Sequence, residues 1–249
     1  ATVPNTSLTG TSIGTEFNGW ALYNACNELN KRLEKYRTPN RSFQQAVMAA
    51  YLDKLDQLSA HGFYEIPGIS WNWETGKGNL FKYYTYGVGA SVVEIDTSTG
   101  DHVIKRCDIV YDTERSINPA IDIGQLEGAF MQGYRLLTME ELVYGDNKNV
   151  KWFKAGKLLT NGPAYYKIPG FNDVPEEFND SILPDSEYKK GIFSSKGIGE
   201  PPFILANAVG AALKDAIMAS RRENGVEPFF EMKYPLTADK IEILSAAKI

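Results

Sequence analysis

The fold class follows from a β-rich stretch, residues 92–106, which reads VVEIDTSTGDHVIKR. Its two ends are rich in β-branched residues, and the polar centre contains Gly100. Two such runs joined by a short glycine-containing connection predict a β-hairpin. Helical patterns occur on both sides of the hairpin without a regular βαβ repeat. The sequence therefore predicts an α+β fold.

Apolar residues recur at helical spacing in two segments before the hairpin and two after it. The second segment begins at Ser42, which forms a predicted capping box with Gln45. Together with the strands, the helices are expected to form two lobes of mixed structure, residues 1–80 and 80–249. The helical segments are residues 20–33, 42–62, 126–145 and 205–217.

The composition is that of a globular protein, since 43% of the 249 residues are hydrophobic. The net charge is -5, with 31 acidic and 26 basic residues spread along the chain, so no basic stripe for nucleic acid or an anionic membrane is visible. Neither a transmembrane run nor a secretory signal is apparent, and we expect a cytoplasmic or peroxisomal protein. Because residue 1 is alanine, we also expect a piece of something longer.

Cysteine and histidine are both scarce, with Cys26, Cys107, His61 and His102 well separated along the chain. Two distant cysteines build neither a disulfide framework nor a zinc or iron–sulfur site. Two isolated histidines likewise argue against a histidine-based triad or a site with several histidine ligands. We therefore predict no metal ligand among the side chains of this chain.

One carboxylate stands in an unusual setting, the run SKGIGEPPF at residues 195–203. Gly197 and Gly199 free the backbone to approach a ligand closely, and the proline after Glu200 is expected to push that residue out of the helical region. Pro202 can open the helix that follows. Glu200 would then point out at a helix mouth, where it could act as a general base or simply cap the helix.

A second run, NPAIDIGQLEGAF at residues 118–130, places an amide among small residues. Its first three residues predict a turn, and a glycine directly precedes Gln125. Gly128 and Gly133 would give the following helix a small face, so the amide could meet a ligand closely. Taken singly, Gln125 is more typical of an ordinary helix residue.

With the hydroxyl-rich opening loop at residues 1–15, these runs resemble the C-terminal part of the molybdenum-binding region in xanthine dehydrogenases and aldehyde oxidases. The resemblance extends over nearly all 249 residues. It implies that residues 1–249 are the second molybdenum-cofactor-binding domain of a larger enzyme. The matching segments are Val3–Ser7, Thr9–Ser12, Phe17–Gly19, Tyr23–Cys26, Tyr84–Gly87, Val93–Asp96, Asn118–Phe130, Tyr166–Pro169 and Ser195–Pro202.

The resemblance also assigns roles to individual residues. Glu200 matches the family's catalytic base, which takes a proton from the oxygen that attacks an electron-poor carbon. Gly14 stands where the family often has a second serine, so only its N–H is available there. The positions that match holders of the pterin cofactor's phosphate and dithiolene ends are Thr9, Thr11, Ser12 and Gln125.

The same resemblance implies what other domains or chains supply. In this family two 2Fe–2S clusters, FAD and the first molybdenum-binding half lie upstream, and the whole enzyme is expected to form a homodimer. The resemblance leaves NAD or oxygen open as the final acceptor. Partners would thus be the remaining enzyme and a small-molecule substrate, with no nucleic acid and no membrane.

The sequence segments indicate the substrate class less clearly than they indicate the reaction. Gly199–Pro202 and Asn161–Pro163 look like xanthine dehydrogenase, which favours a purine such as hypoxanthine or xanthine. By contrast, Trp73–Gly78, Asp173–Phe178 and Ser194–Gly197 look like aldehyde oxidase. A purine hydroxylase is preferred, with an aldehyde oxidase as the alternative. A non-catalytic structural or cofactor-binding module, in which Glu200 only caps a helix, is the remaining hypothesis.

Overall fold

A computed structural model describes residues 6, 8, 10–184 and 186–245 of the chain. Helices and strands are both present, and the predicted α+β class is confirmed. The described residues divide into two compact units. The first contains the residues up to Tyr84 together with Glu187–Gly197, and the second contains Thr85–Ser186 and the residues from Ile198 onward. A single boundary near residue 80 does not describe this division, because residues 187–197 also belong to the first unit.

The first unit contains two α-helices, α1 at Gly14–Leu33 and α2 at Phe43–Leu52. A 3₁₀ turn, Glu34–Tyr36, follows α1 directly. The predicted capping box is confirmed, since the Gln45 N–H donates to Ser42 Oγ over 3.3 Å and the Ser42 N–H donates to Gln45 Oε1 over 2.8 Å. This exchange satisfies N–H groups at the helix start and so defines where α2 begins.

The predicted continuation of α2 toward Gly62 is wrong, because the helix closes at its C-terminus with a Schellman motif. Lys54 adopts a left-handed backbone with φ of 58°. The Leu55 N–H then donates to the Ala50 carbonyl and the Lys54 N–H to the Tyr51 carbonyl, each over 3.0 Å. These bonds use carbonyls that a longer helix would need, so the chain turns away.

The first unit also contains a small apolar cluster and a two-stranded sheet. Strand β1 is Ser70–Asn72 and strand β2 is Lys77–Asn79, and the two are antiparallel. A second 3₁₀ turn, Ile192–Ser194, lies in the returning segment. The cluster formed by the 3₁₀ turn after α1, the end of α1 and α2 contains Leu33, Tyr36, Ala46 and Ala50.

A three-stranded sheet organises the second unit. Strands β3, Gly87–Ile95, and β4, His102–Tyr111, form the antiparallel hairpin that the sequence predicts. An irregularity in register falls between Val92 and Val93. Strand β5, Glu177–Ile182, adds to β4 in parallel, so the order is β3-β4-β5.

Helix α3, Pro119–Thr138, begins earlier and ends sooner than its sequence pattern suggests. The turn predicted at residues 118–120 is wrong, since Asn118 is the N-cap and Pro119 the first helical residue. Proline suits that position because its missing N–H has no helical partner there and its φ is already helical. At the other end, Met139 leaves the helix with φ of -126°, six residues before Gly145.

The remaining elements of the second unit follow the sheet. A 3₁₀ turn, Phe171–Asp173, precedes β5. Residues Pro201–Ala206 form a longer 3₁₀ turn that continues directly into α4, Asn207–Glu223, and α5 is Ala238–Ser245. The helix predicted at residues 205–217 is therefore confirmed.

Helices α3 and α4 bury their apolar faces in one core with the sheet. Close approach of α3 to the turn at 201–206 requires a glycine, because a Cβ on Gly133 would lie 2.2 Å from the Phe203 carbonyl oxygen. Gly133 thus packs against the turn at 201–206 and is not, as predicted, on a small face available to a ligand. Fully buried members of the core include Leu126, Phe130, Tyr134, Val209, Leu213 and Ile217.

The stretch Pro201–Glu223 has the length and apolar composition of a membrane span. Core helices of soluble proteins pass the same test, and here Val209, Leu213 and Ile217 belong to the core of the second unit. The feature is therefore a weak indication, and the expectation that the chain binds no membrane stays a prediction.

Candidate active site

Glu200 lies at the entrance of a helical stretch, where its carboxylate is exposed. It is the N-cap of the 3₁₀ turn, and prolines occupy the first two positions after it. The Phe203 N–H donates to the Glu200 carbonyl over 3.1 Å, whereas the Glu200 side chain makes no capping hydrogen bond. The carboxylate is therefore not used as a helix cap, and it can accept a hydrogen bond or a proton from a ligand.

The backbone at Glu200 differs from its prediction. Its φ of -113° and ψ of -39° lie in the helical region, so the expectation that the following proline excludes this region is wrong. A proline disfavours the helical region for the preceding residue through a steric clash without forbidding it. Helical geometry at Glu200 brings its carbonyl to the Phe203 N–H and starts the turn.

The residues that precede Ile198 in this run belong to the first unit. The Gly197 N–H donates to the Tyr83 hydroxyl over 2.9 Å. A Cβ on Gly197 would lie 2.9 Å from the Ser12 carbonyl oxygen, so the absence of a side chain permits this close approach. The chain passes into the second unit between Gly197 and Ile198, and Glu200 follows three residues after Gly197.

The predicted phosphate-binding loop immediately precedes α1. Thr9 lies outside the described residues, whereas Thr11 is exposed and Ser12 is partly buried. Both adopt left-handed backbone conformations, with φ of 54° and 58°. The Thr11 hydroxyl donates to the Gly10 carbonyl over 2.8 Å. Hydroxyls and successive N–H groups at a loop that opens a helix suit an anionic group.

Gly14 is the first residue of α1, and a Cβ there would meet no described atom within 4 Å. Crowding therefore does not explain the glycine at a position where the family often has serine. The N–H of Gly14 belongs to the first turn of α1, where helical N–H groups lack partners within the helix. Backbone donation from Gly14 fits an anion at this position.

Gln125 lies on the second turn of α3, with its side chain exposed. Space is open beside it, because a Cβ on Gly124 or Gly128 would contact no described atom within 4 Å. The exposed amide offers two N–H donors and one acceptor. Of the two glycines predicted to form a small face near Gln125, Gly128 therefore borders open space.

The first unit contains a buried ion pair that the sequence patterns did not predict. The Lys82 ammonium donates to the Glu16 carboxylate and, over 2.7 Å, to the Tyr64 hydroxyl. Only 8% and 7% of the two charged side chains is exposed. Burial lowers the pKa of Lys82, but the hydrogen bonds that Lys82 donates to Glu16 and Tyr64 outweigh this effect, and the pKa is raised. The available signal was a lysine set among aromatic residues at 81–84.

A separate surface pocket of about 670 Å³ lies in the second unit. It contains none of the predicted site residues, although it includes residues 161–163, which resemble xanthine dehydrogenase. Its walls are formed by Leu142, Leu158, Thr160–Pro163 and Tyr166–Ile168. Among the residues that the structure describes, no group of three or more His, Cys, Asp or Glu side chains could hold a metal ion.

Comparisons with known proteins identify the family of the chain. The family model for the molybdopterin cofactor-binding domain matches residues 1–175. The chain belongs to this molybdopterin cofactor-binding family. The resemblance to the molybdenum-binding region of xanthine dehydrogenases and aldehyde oxidases is thereby confirmed. Glu200 lies outside the residues that the family model matches.

Relatives extend the likeness beyond residue 175. The chain is 49% identical over 245 residues to a xanthine dehydrogenase/oxidase of Felis catus, with 96% of this chain and 18% of the relative covered. It is 48% identical over 242 residues to a xanthine dehydrogenase/oxidase of Gallus gallus, with 96% and 17% covered. The chain thus spans less than a fifth of the length of these relatives.

A solved structure supports the fold. The aldehyde oxidoreductase from Desulfovibrio desulfuricans superposes with a TM-score of 0.73 at 21% identity, which covers 97% of this chain and 24% of that one. At this identity the likeness concerns the fold alone. It supports the predicted α+β architecture.

Proposed function

We propose that this chain is the C-terminal cofactor-binding part of a molybdenum hydroxylase of the xanthine dehydrogenase type, and that the complete enzyme oxidises a purine carbon. The family match and the names of the relatives support this proposal. The observation that carries it is the exposed Glu200 carboxylate, which lies at a helix entrance and makes no capping hydrogen bond.

The residues present fit the molybdopterin cofactor, which when bound supplies the redox-active metal and accepts the electrons of the substrate. Thr9, Thr11 and Ser12, with the N–H of Gly14, would hold its phosphate end. Their hydroxyl and N–H groups are donors for an anion, and a lysine is not required. Gln125 would donate its amide N–H to the pterin's other end.

Glu200 would act as the general base. A carboxylate that has no internal capping bond is free to accept a proton from an oxygen nucleophile within hydrogen-bonding distance. The exposed position of Glu200 at the start of a helical stretch leaves room for a substrate. The pair of prolines after Glu200 limits the backbone conformations available there.

The rest of the enzyme would supply the other centres. We propose two 2Fe–2S clusters, FAD and the first molybdenum-binding half on other domains or chains, with NAD or oxygen as the acceptor. The short coverage of the relatives is consistent with such additional parts. A homodimer of the complete enzyme, in the cytoplasm or peroxisome, belongs to the same proposal.

The test is a Glu200→Gln substitution in the full-length enzyme, with Glu223→Gln as a matched control. Glu223 is an exposed glutamate at the end of α4 in the same unit. We expect Glu200→Gln to retain molybdenum while xanthine turnover falls about 10²- to 10⁴-fold, because loss of a general base has this effect. Xanthine turnover that persists in Glu200→Gln would favour the non-catalytic module, and an aldehyde oxidised in preference to xanthine would favour the aldehyde oxidase alternative.

A further inference from the structure

A polar cluster centred on the buried Glu16 lies in the first unit beside the proposed cofactor loop. The Glu16 cluster consists of Glu16, Tyr64, Lys82, Tyr83 and Tyr188. Lys82 donates to Glu16 and to the Tyr64 hydroxyl, and the rings of Tyr83 and Tyr188 are 5.1 Å apart. A buried ammonium and a buried carboxylate are costly to desolvate unless each is well paired. The Glu16 and Lys82 side chains therefore strongly constrain each other's positions.

Two links connect the Glu16 cluster to the loop at Gly10–Gly14. Glu16 is on the first turn of α1, two residues after Gly14, so the ion pair anchors the start of that helix. On the other side, the Tyr83 hydroxyl accepts a hydrogen bond from the Gly197 N–H over 2.9 Å. Gly197 in turn packs closely against the Ser12 carbonyl. The loop from Gly10 to Gly14 is thus held at its helical end and against Gly197.

The electrostatics of Tyr83 agree with this arrangement. Burial raises the pKa of the Tyr83 hydroxyl most strongly, and the neighbouring Glu16 carboxylate raises it further. The hydrogen bond from the Gly197 N–H acts in the opposite direction. The hydroxyl is therefore protonated at neutral pH and can use its O–H toward Glu16 while its oxygen accepts from Gly197.

We propose that Glu16, Lys82 and Tyr83 are positioning residues that keep the Gly10–Gly14 loop in the conformation that binds the phosphate end of the cofactor. This inference rests on the proposed function. Left-handed backbone at both Thr11 and Ser12 is uncommon for residues other than glycine and requires support from surrounding contacts. The cluster supplies that support through the start of α1 and through Gly197.

The decisive comparison is Tyr83→Phe against Tyr188→Phe in the full-length enzyme. Each substitution removes one hydroxyl from the same cluster. Within the described part of the chain, however, the Tyr188 hydroxyl is buried without a hydrogen-bonding partner, whereas that of Tyr83 holds Gly197. Loss of the acceptor leaves the partly buried Gly197 N–H without its hydrogen bond, which is unfavourable. We expect amide exchange of residues 195–197 to be about tenfold faster in Tyr83→Phe only.

The second readout is molybdenum per folded enzyme, measured by mass spectrometry after dialysis. We expect Tyr83→Phe to lose molybdenum about tenfold faster than Tyr188→Phe, since a loop that opens more often releases its ligand more often. Equal molybdenum retention in the two variants would overturn the proposal. Faster exchange at Gly197 without faster molybdenum loss would also overturn it, because Tyr83 would then hold the backbone without affecting the cofactor.

Lys82→Arg and Lys82→Met test the ion pair in the same way. Arginine preserves the charge, so we expect Lys82→Arg to retain most of the molybdenum that Lys82→Met loses.

Ser12→Ala distinguishes the positioning proposal from the proposed function. Full molybdenum retention in Ser12→Ala would remove this loop from the proposed cofactor site, whereas loss in Ser12→Ala with normal retention in Tyr83→Phe and Lys82→Met would overturn the positioning role alone.

Discussion

Glu16 and Glu200 are both glutamates at the start of a helical stretch, yet their surroundings are opposite. Glu16 is buried on the first turn of α1 and paired with Lys82. Glu200 is exposed, lies one residue before its turn and makes no capping hydrogen bond. A helix start favours a carboxylate in both cases. The partner and the exposure decide which carboxylate stabilises the fold and which is free for chemistry.

Glu200→Gln should give the largest effect on activity and almost none on stability. An isosteric amide cannot accept the proton, so we expect turnover of the full-length enzyme to fall about 10²- to 10⁴-fold. Exposed substitutions away from internal contacts usually change the free energy of unfolding by less than about 0.5 kcal/mol. Steady-state kinetics and thermal unfolding of the same preparation check both parts. A clear loss of stability would contradict the comparison.

Lys82→Met should show the reverse pattern at the buried carboxylate. Removing one partner leaves the Glu16 charge buried and unpaired, at a cost of about 3–5 kcal/mol in local stability. Hydrogen exchange across α1 measures that cost. The control is Lys35→Met in the same unit, which breaks an exposed pair with Asp53 and is expected to leave exchange of α1 unchanged. Similar exchange in the two variants would mean that burial does not distinguish the pairs.

Two glycines of α3 extend the comparison from charge to packing. A Cβ on Gly133 would overlap the Phe203 carbonyl, and we expect Gly133→Ala to destabilise the second unit by about 1–3 kcal/mol. Gly128 faces open space, so Gly128→Ala should stabilise α3 by about 0.5–1 kcal/mol through helix propensity. Hydrogen exchange of the α3 amides, followed across a series of denaturant concentrations, measures the change in stability for both variants. Effects of the same sign would contradict the packing difference.

The smallest predicted effect is the dependence of the second unit's stability on pH. Burial lowers the pKa of His102, although Asp173 and Asp101 partly oppose the shift, and His102 contacts the Tyr134 hydroxyl over 2.9 Å. The unfolded chain then binds a proton more readily than the folded one. Stability should therefore decrease as pH falls below the usual histidine pKa of 6.5. His102→Gln should reduce this decrease, as measured by exchange of β4 between pH 7 and pH 5.5. An unchanged pH dependence would assign it to other groups.

Local patterns were sufficient for several elements. The hairpin at residues 92–106 and the capping box at Ser42 follow from interactions between neighbours in the chain, and both are confirmed. The ends of α2 and α3 were misplaced because apolar spacing continues past the point where the backbone turns, at Lys54 and Met139. Gly133 was misassigned because its neighbour, Phe203, is 70 residues away in sequence.

The sequence by itself determined the α+β class, the resemblance to the molybdopterin cofactor-binding family and the choice of Glu200 and Gln125 as site candidates. These depend on short runs whose order and spacing are visible along the chain. Only the tertiary structure decided that Glu16 pairs with Lys82, that Tyr83 holds Gly197, and that residues 187–197 belong to the first unit. Each of these contacts joins residues 66 or more positions apart, and burial in the folded chain is what makes them specific.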